Sequence, residues 1–284
     1  MKLKKTLVSA LLILVSSSAA KAGDIVSSSA DTCIYEAYIK QFERQKDSPY
    51  GELLINTAKY FSGKPYVAST LELYGEEKTV VNLREFDCTT FVENCIALSQ
   101  VIKSGNFSHD NYIRKLTDMR YREGNVAGYA SRLHYTSDWI YENEKRGLLK
   151  NISTESGGGK VKKDIHFMTT HPQLYRHLKN NARNIGKLEE IEKKISKRDY
   201  GILPISDLEA NQEKIKNGDI IVFATSIAGL DYSHMGIACR QNEKLHFIHA
   251  SSKSGQVIIE KKTLPDYCRA SKTCTGISVL RINP

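Results

Sequence analysis

The stretch REFDCTTFVENCIALSQ, residues 84–100, decides how this chain is read. Asp87 is a residue type that accepts hydrogen bonds from the free amides of a first helical turn. Phe91, Val92, Cys95, Ile96 and Leu98 then recur at three- and four-residue spacing, and Gly105 supplies a stop. The spacing predicts an amphipathic helix with Cys88 in its first turn. A cysteine there is a core residue, half of a disulfide, a metal ligand or a nucleophile, and the rest of the chain has to choose.

At 284 residues, 40% hydrophobic and 26% charged, the chain has the composition of a globular protein with a sizeable core. Its first 22 residues stand apart. Lys2, Lys4 and Lys5 precede the apolar run TLVSALLILV, and Ala20-Lys21-Ala22 gives a small-x-small cleavage pattern. This predicts a secretory signal peptide over residues 1–22. The apolar run is short for a membrane span, and no second run of spanning length follows. The expectation is an exported protein, periplasmic or secreted, without stable membrane insertion, with a single domain over residues 23–284. The formal charge is +9; the first 22 residues carry four lysines and no acid, which leaves +5 for the rest. That balance suits an anionic substrate and is too dispersed to predict a nucleic-acid partner.

Six cysteines in an exported chain raise the question of disulfides. Cys88 and Cys95 lie two helical turns apart, roughly 10.5 Å of rise, beyond the reach of a bridge. Cys268 and Cys274 flank a short loop and could pair, while Cys33 and Cys239 stay open.

Along the chain, residues 33–60 read as helical and FSGKPYVAST as loop. Residues 106–200 are mostly polar, helical or irregular. The glycine run at 155–160 is not a phosphate loop, because Thr154 stands where its first glycine belongs and Val161 follows the lysine. From residue 217 the texture turns to strand: NGDIIVFATS, then HMGIACRQNEKLHFIHASS as two strands around a polar turn, then GISVLRI. Helices first and a sheet afterwards make an α+β fold without βαβ alternation.

The paired strands bear on Cys88. With Gln241-Asn242 as a two-residue loop, Arg240 opposes Glu243 and His234 opposes His249 on one face, beside Gly236 and Ala238. A loop centred one residue later shifts that register. Two adjacent histidines can be packing residues, part of a zinc site, or the base and orienting group of a cysteine nucleophile. No HExxH or CxxC spacing accompanies them. The nucleophile reading uses every part: a thiolate is favoured at a helix N-terminus and beside an imidazolium, and a second polar ring holds the tautomer of the first.

DCTTFV, NGDIIVFA, SHMGIA and FIHASS, in that order, resemble the NlpC-type papain-like cell-wall hydrolases. The resemblance implies Cys88 as nucleophile, His234 as base and His249 as orienting residue. GKPY is similar to a family segment whose tyrosine, here Tyr66, lies near the nucleophile. FDCTTFVE, SRLHYTSDW and YSHMGI resemble more narrowly the N-acetylmuramoyl-L-alanine amidase-like branch, formerly classed as a domain of unknown function. The motifs run from about residue 66 to 252. Thr89-Thr90 departs from the usual Ser-Gly, and 145 residues lie between Cys88 and His234, far more than in compact members.

The resemblance implies a papain-like α+β core, a nucleophile helix on an antiparallel sheet, with a specificity insertion at about 106–200. It implies metal- and cofactor-free hydrolysis of the N-acetylmuramic acid–L-alanine bond in peptidoglycan or muropeptides, with the Cys88 amide and Tyr66 at the oxyanion site. Arg132, His134, Tyr135 and Trp139 are candidate substrate contacts or a packing cluster, and Thr89 and Ser233, flanking nucleophile and base, are further candidate contacts. The alternatives are a D-glutamyl–diamino acid endopeptidase and a non-enzymatic cell-wall binding module.

Overall fold

A computed structural model describes residues 25–283; the expected signal peptide lies outside the described residues. In chain order come β1 (Ile25–Val26), α1 (Ser29–Phe42), α2 (Tyr50–Tyr60), β2 (Thr79–Val80), α3 (Cys88–Ser104), α4 (His109–Arg120) and α5 (Thr136–Lys145). Next are β3 (Leu149–Asn151), β4 (Gly159–Val161), α6 (Phe167–Thr170), α7 (Ala182–Ile195), β5 (Tyr200–Pro204) and α8 (Ile205–Asn211). The C-terminal part holds β6 (Ile220–Thr225), β7 (Tyr232–Gln241), β8 (Lys244–Ser251), β9 (Gln256–Ile259), α9 (Leu264–Ala270) and β10 (Cys274–Ile282).

Most helices precede the large sheet, whose strands run in the order β4-β5-β10-β6-β7-β8-β9 with β3 also on β10, and every pairing within it is antiparallel. The α+β expectation therefore holds. The helix expected over 33–60 is two helices: α1 ends at Phe42, and α2 restarts after Pro49, which cannot donate to a continuous helical ladder.

α3 begins at Cys88 under a capping box in which Asp87 Oδ1 accepts from Thr90 N–H at 2.7 Å and Thr90 Oγ1 accepts from Asp87 N–H at 2.9 Å. It ends on Gly105 at φ +68°, the left-handed cap glycine adopts readily. Between them almost the whole helix is buried, because α2, α4, β7 and β8 surround it. Its buried polar groups are all partnered. Glu93 pairs with Arg120 at 2.8 Å, Asn94 donates to Thr90 O and accepts from Tyr112, and Ser99 meets Thr57 at 3.2 Å.

The sheet separates two apolar layers. One face, with Val222, Met235, Ile237 and Ile248, packs on α2 and α3. The other, with Ile221, Phe223, Ala238 and Phe247, is covered by Leu208 of α8 and by Leu264 and Cys268 of α9.

Candidate active site

The β7–β8 turn is centred one residue later than the Gln241-Asn242 loop. Asn242 and Glu243 both have positive φ, at 48° and 65°, and Gln241 pairs with Lys244. Glutamate is a poor signal for a left-handed position, which hid the turn. In the resulting register His234 and His249 are diagonal rather than opposite. The rings meet nonetheless: their centroids lie 4.9 Å apart and His234 Nε2 lies 2.6 Å from His249 Nδ1. Two features permit this. Gly236 stands where a Cβ would come within 2.8 Å of Ile248 O and 3.2 Å of His249 Cβ. A bulge opposite Phe223–Ala224 inserts Ser233 before His234, leaving Ser233 exposed and re-aiming the strand.

Phe223, directly across from His234, Phe247 and Tyr267 of α9 wall the two rings, with Tyr267 centroids 6.4 Å and 5.9 Å from them. His249 is 1% exposed and His234 half-buried. The second ring nitrogen of His249, Nε2, faces Glu260 Oε2 at 3.5 Å.

Half-buried Cys88 reaches this strand beside His234: the Met235 backbone amide faces the thiol. Burial, then the Asp87 carboxylate, pushes the Cys88 thiol up to about 12, while hydrogen bonds from Met235 and Thr89 act the other way. Burial, then His249, holds the His234 imidazole down to about 3, with Glu260 opposing; burial alone holds His249 at about 4. Both directions have one main cause, since a closed site disfavours separated charges. Tyr66 lies beside the thiol; burial raises its hydroxyl, and Cys88 and Asp87 add to this. The Cys88 backbone N–H, in the first helical turn, has no intrahelical acceptor.

The SRLHYTSDW residues lie elsewhere in role. Arg132 is 7% exposed and is engaged by Glu72 and, at 2.9 Å, by Glu77. Tyr135 and Trp139 are 2% and 1% exposed in the core, with the Tyr135 hydroxyl donating to Glu192 at 2.6 Å. His134 Nε2 meets Tyr129 O at 2.8 Å. These contacts match the packing cluster, one of the two readings the sequence left open: a guanidinium already held by two carboxylates is not free for a ligand's carboxylate. Thr89 and Ser233 remain at the site. The sequence did not single out Glu260 or Tyr267. Neither sits in a motif, and only the turn after β9 and the seat of α9 bring them in. Cys268 and Cys274 interact as free thiols.

The profile of the AmiA-like family, described as N-acetylmuramoyl-L-alanine amidase-like, matches residues 56–277. The chain belongs to that family. It is an amidase-like hydrolase, and the family suggests peptidoglycan as its substrate class. A crystal structure of an N-acetylmuramoyl-L-alanine amidase from Bacteroides uniformis aligns with TM-score 0.80 at 36% identity, covering 83% of this chain and 99% of that one. A Bacteroides fragilis protein described provisionally as a xylanase aligns with TM-score 0.77 at 41% identity, covering 80% and 100%. A Legionella pneumophila protein of the DUF1460 family shares the fold, with TM-score 0.68 at 24% identity over 90% and 95%. No curated protein matches. The xylanase description fits the site less well. Glycoside hydrolysis generally uses two carboxylates flanking the bond. Here a thiol and two imidazoles converge, and Asp87 is occupied in capping α3.

Proposed function

We propose that the chain hydrolyses the amide between N-acetylmuramic acid and L-alanine in muropeptides, through a cysteine thioester on a papain-like core. The observation that carries this reading is Cys88 at the start of α3, against the strand whose His234 is hydrogen-bonded to His249. His234 Nε2 is committed to His249, so Nδ1 is left to take the thiol proton as Sγ attacks the carbonyl. The Cys88 amide, with Tyr66 beside it, serves the developing oxyanion. Breaking the C–N bond sends that proton to the leaving L-alanine amine and leaves a thioester on the lactyl carbonyl. Water then attacks, gives its proton to His234 and releases the muramic acid carboxylate and the thiol.

In this reading the protein is exported and residues 23–284 act as one domain, with the helices between 106 and 200 supporting the site rather than binding substrate through Arg132. Mass spectrometry of digested muropeptides tests it. The expected products are a peptide beginning with L-alanine and an intact N-acetylmuramic acid sugar. Retention of L-alanyl-D-glutamate on the sugar would replace the amidase reading by the endopeptidase one, and unchanged muropeptides would leave a wall-binding module.

A further inference from the structure

We infer that Glu260 is a positioning residue of this site: its carboxylate accepts the Nε2 proton of His249 and thereby sets the tautomers of both imidazoles. The inference rests on the Cys/His/His reading and deepens it.

The carboxylate is aimed and held. Glu260 follows β9 directly, where Ile258 pairs with His249 and Ile259 with Ile248. Its backbone N–H donates to Phe247 O at 2.9 Å, and its carbonyl lies 3.0 Å from His246 Nδ1. Oε1 accepts from Lys262 N–H at 3.0 Å, which leaves Oε2 facing His249 Nε2 at 3.5 Å. That nitrogen is buried and has no hydrogen-bond partner within normal range. A buried N–H without an acceptor is costly, and a small closing movement of Glu260 supplies one.

The proton count does the rest. The 2.6 Å contact between His234 Nε2 and His249 Nδ1 holds one proton. Were it on His249 Nδ1, neutral His234 would carry its own on Nδ1 and could not accept from a thiol. With the His249 proton on Nε2, Nδ1 accepts from His234 Nε2–H and His234 Nδ1 is open. A carboxylate at His249 Nε2 selects the second arrangement. It also favours the imidazolium that forms at His234 during attack, consistent with the direction in which Glu260 acts on that ring. The ionisable groups around the pair are Cys88 from α3, His234 from β7, Tyr267 from α9 and Glu260 itself; burial and Glu260 both keep Tyr267 protonated.

The test reads the tautomer first, in the unmodified protein. Nitrogen-15 shifts of the imidazoles should show His249 protonated at Nε2 and His234 likewise at Nε2; a His249 protonated at Nδ1 overturns the inference. Glu260→Gln keeps an acceptor for Lys262 N–H but turns a donor towards His249. The expected result is an unchanged melting midpoint and KM, with kcat lowered roughly a hundredfold, short of the loss when a triad carboxylate is replaced. The pH dependence of Cys88 alkylation by iodoacetamide should shift as well, and this needs no wall substrate. A folded Glu260→Gln protein with wild-type kcat and alkylation profile sinks the inference while leaving the thiol reading intact. Hydrolysis surviving in Cys88→Ala sinks the thiol reading itself.

Discussion

His234 and His249 share a 2.6 Å hydrogen bond although they are diagonal, not opposed, across β7 and β8. A diagonal contact depends on the room left by Gly236 and on the bulge at Ser233, so the His234 ring is held by backbone geometry as much as by its partner ring.

Removing each ring should therefore have unequal effects. His234→Ala loses the proton acceptor and should reduce kcat by roughly 10²–10⁴-fold. His249→Ala should lose less, and His249→Asn or His249→Gln should recover part of it, since either can accept from His234. Steady-state rates on a purified muropeptide decide it; wild-type kcat in His249→Ala would remove His249 from the site.

Gly236→Ala should damage the site without touching a ring. The added methyl meets Ile248 O and Phe247 at 2.8 Å, so β8 must move and His249 with it. The expected cost is about 1–3 kcal/mol of stability, read by urea denaturation, together with a fall in kcat.

Acid should destabilise the fold through His249. Its ordinary value of 6.5 applies unfolded, and burial holds it at about 4 when folded. Between those values the unfolded chain binds more protons, so stability is full above about 6.5 and declines as pH falls towards 4, by on the order of 3 kcal/mol. Chemical denaturation at pH 7 and pH 4.5 should show a smaller difference in His249→Gln than in wild type. An equal difference in the two proteins would contradict the assignment.

Arg132→Ala should lower the melting midpoint, because Glu72 and Glu77 would be left as buried carboxylates without their cation. Breaking such a buried pair costs about 3–5 kcal/mol. KM of the protein that remains folded should be unchanged. A raised KM with an unchanged midpoint would return Arg132 to the substrate.

Chelation separates thiol from metal chemistry. Iodoacetamide or Cys88→Ala should abolish hydrolysis, and EDTA should leave it intact. Loss on chelation with recovery on added zinc would favour the metal alternative.

Helix α3 was legible because its signals are local: Asp87 caps it, Gly105 ends it, and the apolar positions lie between. The sheet was legible from its β-rich runs, and the partnership of the histidines survived a register shifted by one residue. What stayed hidden was set at long range. Arg132, Tyr135 and Trp139 look alike in sequence whether they line a cleft or lie buried among Glu72, Glu77 and Glu192. Glu260 is one more charge beside a turn until β9 brings it to His249. The break before α2 needed more weight on Pro49.

The ties around the turn that bears Cys88 span most of the chain. Tyr66 N–H reaches Gly255 O, Asp31 holds both Leu83 N–H and the Arg84 side chain, and Arg132 grips Glu72 and Glu77. Such distant closures form slowly in folding, since each must bring together ends that diffuse apart. A growing chain would display Cys88 long before the strands bearing His234 and His249 exist. The pocket that joins the thiol to the two imidazoles thus closes only with the last third of the polypeptide, and a chain truncated before residue 255 would keep Cys88 without the finished surroundings described above.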